Sequence, residues 1–198
     1  MLFQNIRDAT VNSINQILNL FQSHSLTNIL VLGYIDNDDK IKRFNIIEKD
    51  IYLEFGEALL LCSSVNQYDQ LKMNVVDKIS PELDFEIEED DELCVCSLYN
   101  MYLFDPYGTN RITSAEFLLD KNSNLEQGLV KCLGLRIGES KDYLFIDPTH
   151  TFGIQVNGKR SIEEWIEKAA NSPISDYMKW QWLQNHTIAE VKPFPLNI

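Results

Sequence analysis

No apolar run in this 198-residue chain approaches the roughly 18 residues a bilayer-crossing helix needs, and stretches such as Ala58 to Cys62 end far short of it. Glycine and proline are scarce as well, at 8 and 6 residues, which excludes a fibrous or low-complexity chain. The opening Met1-Leu2-Phe3-Gln4-Asn5-Ile6-Arg7 has no basic region followed by an apolar core, so no secretory leader is predicted and the cytoplasm is the expected compartment. Cysteine is sparse and poorly placed for metal. Cys94 and Cys96 form a Cys-x-Cys pair without a second pair, while Cys62 and Cys132 stand alone, so reduced thiols in the core are predicted, with no metal and no cofactor. Phosphate loops and nucleophile elbows are missing too: Gly134-Leu135-Arg136-Ile137-Gly138 has the wrong spacing for the first and reads as strand.

Positive charge is the other shortage. Seventeen Lys and Arg face thirty Asp and Glu, for a net charge of −13. Such a field repels nucleic acid and anionic membranes and draws in basic surfaces, so the expected partner is a basic protein.

Against these absences, the hydrophobic pattern is informative. Phe3, Ile6, Thr10, Val11, Ile14, Ile17, Leu18 and Phe21 recur at helical spacing and predict an N-terminal amphipathic helix ending near Ser23. Strand-like runs follow at Ile29 to Ile35, Ile41 to Ile47, Ile51 to Phe55, Leu59 to Ser63 and Leu71 to Val76. The first two flank the turn cluster Asp36-Asn37-Asp38-Asp39-Lys40. Leu93 to Phe104 is nearly continuous in apolar character and predicts a strand covered on both faces. Ile112 to Leu119, Gly128 to Ile137, Tyr143 to Ile146 and Phe152 to Val156 continue the series. Without helix-length crossovers, antiparallel order is expected. Two helices close the chain: one from Ile162 to Ala170, signed by the capping box Ser161-Ile162-Glu163-Glu164, and one from Ile174 to Gln184 behind Ser172-Pro173. The whole reads as one α+β domain over residues 1–198, with an N-terminal helix, a predominantly antiparallel sheet and two C-terminal helices.

The most unusual feature is electrostatic. Glu82, Asp84, Glu86, Glu88, Glu89, Asp90, Asp91 and Glu92 place eight carboxylates in eleven positions, and no Lys or Arg occurs from Ile79 to Asn110. Leu83, Phe85 and Ile87 alternate with the first of them, so an extended segment would turn its apolar set inward and its acids outward. Carboxylates two residues apart would then lie roughly 6.6 Å from each other, a spacing comparable to successive phosphates of a nucleic acid strand. Trp180 and Trp182 sit about 200° apart on the predicted last helix, so one of them is expected to face a second surface and anchor a partner.

In size, acidity and want of a catalytic motif the chain resembles the immunity proteins that bacteria make against secreted toxins. That likeness implies a non-enzymatic inhibitor of a basic partner such as a nuclease, and it assigns no residue a role. An enzyme would draw on Cys132 and on His150 in Asp147-Pro148-Thr149-His150, as a small Cys/His hydrolase. A structural subunit with a solvated acidic segment is the third reading, and the oligomeric state is not specified by the pattern.

Overall fold

The computed structural model of the chain describes residues 13–37, 41–80, 83, 91–102, 110–138, 143–150, 153–157, 159–170, 177–184 and 190–193. The first described element is α1, Ser13–Ser23, whose Ile14, Ile17, Leu20 and Phe21 are buried, as the helical stripe predicts, while Phe3, Ile6, Thr10 and Val11 lie outside the described residues. Then come β1 (Asn28–Ile35), β2 (Phe44–Phe55), β3 (Ala58–Val65) and β4 (Gln70–Val76), each antiparallel to the one before. The two short strands expected on either side of Glu48 are a single strand, β2. It absorbs Ile47 to Asp50 as an irregularity: the pairing passes from Val31↔Ile51 to Gly33↔Ile46.

β5, Glu92–Ser97, adds to β1 on its outer side, and a short helix, α2, Tyr99–Tyr102, follows at once. The sequence predicts one long strand from Leu93 to Phe104, covered on both faces. The observed strand is half that length and lies at a sheet edge, because chain beyond Ser97 turns away through α2. β6 (Ile112–Leu119) is found where the pattern puts it, and the run from Gly128 to Ile137 breaks in two. Its first piece, β7 (Leu129–Val130), pairs with β4; its second, β8 (Cys132–Ile137), pairs with β6. The chain thus changes sheets at a single residue, Lys131.

The remaining strands are β9 (Tyr143–His150), β10 (Gly153–Asn157), β11 (Met178–Leu183) and β12 (Glu190–Pro193), with α3 (Lys159–Ala170) between β10 and β11. The protein is α+β, and among the described residues there are two antiparallel six-stranded sheets where one was expected. Their orders are β5-β1-β2-β3-β4-β7 and β10-β9-β8-β6-β11-β12. α3 begins at Lys159, which puts Ser161 inside the helix and not at its cap.

The clearest correction concerns the last predicted helix. Met178 to Leu183 is a strand, paired with β6 on one side and β12 on the other. In Met178-Lys179-Trp180-Gln181-Trp182-Leu183 the tryptophans are two apart, and on a pleated strand that spacing puts both on one face. That face is the core: Trp182 is 7 % exposed, with its ring 6.1 Å from Phe21, and half-buried Trp180 meets its register partner Phe117 in a tilted contact with ring centroids 5.1 Å apart. Aromatic residues favour strands, and the cross-strand Trp180–Phe117 pair outweighs a weak helical spacing.

Both sheets and α1 share one apolar core. Ile29, Val31, Ile51, Leu53, Leu60 and Met73 of the first sheet meet Phe117, Leu133, Leu135 and Ile146 of the second. Phe21 joins the layers, touching Phe55 of β2 at 5.6 Å as well as Trp182 of β11. The second sheet is covered on its other face too, where Leu118, Cys132 and Phe145 pack beneath Ile162, Trp165 and Ile166 of α3. This is why β6 and β8 read as continuous apolar runs.

Beside α3, Tyr143 lies flat across Gly134. Its hydroxyl donates to Glu116 Oε2 at 2.8 Å, and Lys179 pairs with Glu116 Oε1 at 3.3 Å. A Cβ at Gly134 would fall inside the Tyr143 hydroxyl and 2.7 Å from its ring Cζ. Gly134→Ala is therefore expected to cost about 1–3 kcal/mol by overpacking. In urea titrations, adding Tyr143→Phe to Gly134→Ala should recover part of that loss. Equal midpoints for Gly134→Ala and wild type would show that the ring moves freely.

Candidate functional site

Two surfaces carry side chains with functional chemistry. The first is the free edge of the first sheet. Among the described residues β5 has β1 as its only strand neighbour, which leaves every second N–H and C=O pointing outward. The acidic run leads straight into it. Asp91 is half-buried, and exposed Glu92 opens the strand opposite Ile35. Glu82, Asp84, Glu86, Glu88, Glu89 and Asp90 lie outside the described residues. Along the strand, Leu93 and Val95 stand on one face at 41 % and 46 % exposure, with half-buried Tyr34 opposite Leu93. Cys94 and Cys96 take the other face, and Cys96 packs against the core. Exposed Ile46 lies near the start of β2, which runs beside this end of β1, and exposed Ile41, Lys42 and Arg43 lead into that strand. Two cations there stand against the eight carboxylates between Glu82 and Glu92. Trp180 and Trp182, expected as anchors, are on β11 in the other sheet and turned into the core.

The second surface is a cavity of about 490 Å³ against the second sheet, between the ends of β9 and β10 and the C-terminal half of α3. Its making starts at the sheet-to-sheet corner. Lys131 is 6 % exposed; its backbone N–H donates to Leu118 O at 2.8 Å, and its ammonium pairs with Asp69 and, at 3.9 Å, with Asp120. Asp120 is itself fixed, accepting from Ser123 Oγ at 2.8 Å and from Asn122 N at 3.0 Å through Oδ1. Asp69 is delivered by the β3–β4 turn, in which Asn66, Gln67 and Tyr68 all adopt left-handed backbone angles, with φ of 54°, 58° and 64°. Three such residues in succession are costly without glycine, and the turn is closed by Asn66 Nδ2 donating to buried Gln70 at 2.6 Å.

Asp147 on β9 forms the next part of the cavity wall. Its Oδ1 accepts from Thr149 N at 2.9 Å, from Thr149 Oγ1 at 2.6 Å and from the Cys132 thiol at 3.6 Å. Opposite, Trp165 of α3 and Tyr177 meet edge to face with ring centroids 5.3 Å apart, and Lys168 lies one turn further along α3.

This geometry bears on the hydrolase reading. Cys132 is fully buried, and burial followed by the charge of Asp147 pushes its thiol well above the ordinary value of 9.0. It is a protonated donor to a carboxylate, the reverse of an activated nucleophile. Of His150 the backbone is described, at the end of β9 opposite Gly153. No group of three or more His, Cys, Asp or Glu among the described residues could hold a metal ion, all four cysteines are free thiols, and no described helix is long and apolar enough to cross a membrane.

Lys131, Trp165 and Lys168 did not stand out in the sequence, and Tyr177 drew notice only as a neighbour of Trp180 on the predicted last helix. They are scattered over 47 positions of chain, and Trp165, three residues after Ile162, reads as an ordinary core position of a helix. Comparison with protein-family models, curated proteins and solved structures returns no match, so the site is read from its geometry.

Thiol burial predicts a pH dependence. The folded-state values of Cys62 and Cys132 are raised, so both thiols stay protonated in the native protein while the unfolded chain ionises above about 8.5. Their contribution is intact below that pH and is lost as pH climbs past it. Urea midpoints should therefore fall between pH 7.5 and about 10, less steeply in Cys132→Ala than in wild type. Identical slopes would count against the buried thiol–carboxylate pair.

Proposed function

We propose that this chain is a non-enzymatic binding protein that engages and blocks a basic protein, in the manner of an immunity protein neutralising a nuclease-type toxin in the cytoplasm. One observation carries the reading: the acidic run opens directly into an edge strand whose Leu93 and Val95 are exposed. Interfaces typically combine an apolar centre with a charged rim, and a sheet edge adds unpaired backbone groups to it. The carboxylates would steer a cationic surface toward the edge, where the apolar side chains are buried on contact. An array of acids is what a nuclease's phosphate-binding surface would accept in place of its substrate. The apolar anchors are thus Leu93 and Val95 in place of the tryptophans, whose side chains serve the core.

Steering and burial have separate kinetic signatures. Binding would be followed by real-time kinetics, with basic proteins captured from the source cell and then purified. The charge-neutralised variant Glu86→Gln, Glu88→Gln, Asp90→Asn, Asp91→Asn should associate about tenfold or more slowly at low salt, with the difference shrinking as salt rises. Leu93→Ser with Val95→Ser should leave association nearly unchanged and speed dissociation by about tenfold or more. Circular dichroism checks that both variants fold. Unchanged kinetics in the two folded variants, for every basic protein captured, would reject the proposal.

A further inference from the structure

The cavity beside α3 is built from parts that the proposed inhibitory role does not use. It is a concave space of about 490 Å³, within the size range of small-molecule sites. Its lining inverts the charge of the molecule: a chain with 17 cationic and 30 anionic residues contributes two lysines, Lys131 and Lys168, and a single carboxylate, Asp147. Lys131 is held in place by Asp69 and Asp120, whereas Lys168 is exposed and has no ion pair among the described residues. The aromatic side is likewise fixed, since Trp165 packs on Phe145 and its neighbours in the outer core while meeting Tyr177 edge to face. Asp147 spends Oδ1 on Thr149 and Cys132, and none of those bonds involves Oδ2. Gln155, in register with Asp147 on the neighbouring strand, adds an amide.

We infer that this cavity is a binding site for a small molecule bearing a flat ring, one anionic group and one N–H or O–H donor. The ring lies against Trp165 and Tyr177, where aromatic faces and edges reward a planar partner. The anionic group takes the Lys168 ammonium, which forms a charge-assisted hydrogen bond and has no ion pair among the described residues to give up. The donor takes Asp147 Oδ2. Lys131, neutralised by two carboxylates, acts as a rigid part of the floor and not as the principal anion contact.

Anilinonaphthalene sulfonate is a suitable probe because it combines fused rings, a sulfonate and an anilino N–H. Phenylnaphthylamine has the same rings and N–H without the charge. In fluorescence titrations of the full chain, the sulfonate probe is expected to bind saturably at one site per chain. Lys168→Glu should weaken it about tenfold or more while changing the neutral probe less than about twofold. Lys168→Gln, which adds no repulsion, should give a smaller loss in the same direction. Tyr177→Ala should weaken both probes, and Leu93→Ser with Val95→Ser should weaken neither. The inference is overturned if the sulfonate probe does not saturate, if both Lys168 variants bind it as wild type does, or if its binding is lost in the β5 variant, which would place it on the exposed edge strand.

Discussion

A lysine ammonium buried where the chain leaves one sheet for the other is the constraint on which the rest of this structure turns. Lys131 is the only residue between β7 and β8, so two sheets must come within reach of one backbone unit there. A cation in such a place is tolerable only when paired. Asp69 comes from a strained turn of the first sheet and Asp120 from the end of β6 in the second. The ion pairs therefore tie together three segments distant in sequence. Because Asp69 remains about half exposed, solvent screens that contact, and the value of the arrangement lies more in fixing geometry than in net stabilisation.

From that corner the layering follows. β8 runs beside β6, and their alternate residues point to two apolar environments: Leu133 and Leu135 to the core shared by the sheets, Cys132 to the layer under α3. α1 closes the shared core through Phe21, which contacts both sheets. Where β10 meets β2, Gly153 at φ +119° has the Glu48 backbone carbonyl where a Cβ would lie. That approach coincides with the irregular stretch Ile47 to Asp50 of β2, so the bulge and the glycine are two halves of one close contact.

How much of this was legible depended on whether the signal was local. The described part of the α1 stripe, β3 at Leu59 to Ser63 and β6 at Ile112 to Leu119 are local patterns and are found where the sequence puts them. The division into two sheets was not legible, because Leu129-Val130-Lys131-Cys132-Leu133 gives no sign that pairing partners change at Lys131. β11 was misread for a different reason. Trp180 and Trp182 satisfy a strand's period of two as well as a crowded helix, and the choice is made by Phe117 and Phe21, which come from elsewhere in the chain. Likewise the acidic run announces itself in composition, while the apolar edge beside it depends on β5 being last in its sheet. The Leu93 to Phe104 run looked like a buried strand for want of that knowledge.

A net charge of −13 would seem to argue against a pocket for an anion, and distance answers the objection. The acidic run enters at β5, and two strand spacings of about 4.8 Å separate β5 from β2, the strand nearest β10. The cavity is then on the far side of the second sheet, a further packing distance of about 10 Å away. At physiological salt the screening length is about 8 Å, so the field of the described acids at this edge, Asp91 and Glu92, has decayed before it reaches α3. An incoming anion meets Lys168 as the exposed cation, beside Asp147 and a Lys131 already paired with Asp69 and Asp120. Side chains of opposite sign, Asp91 and Glu92 at β5 and Lys168 at the cavity, are thereby kept apart on one small molecule.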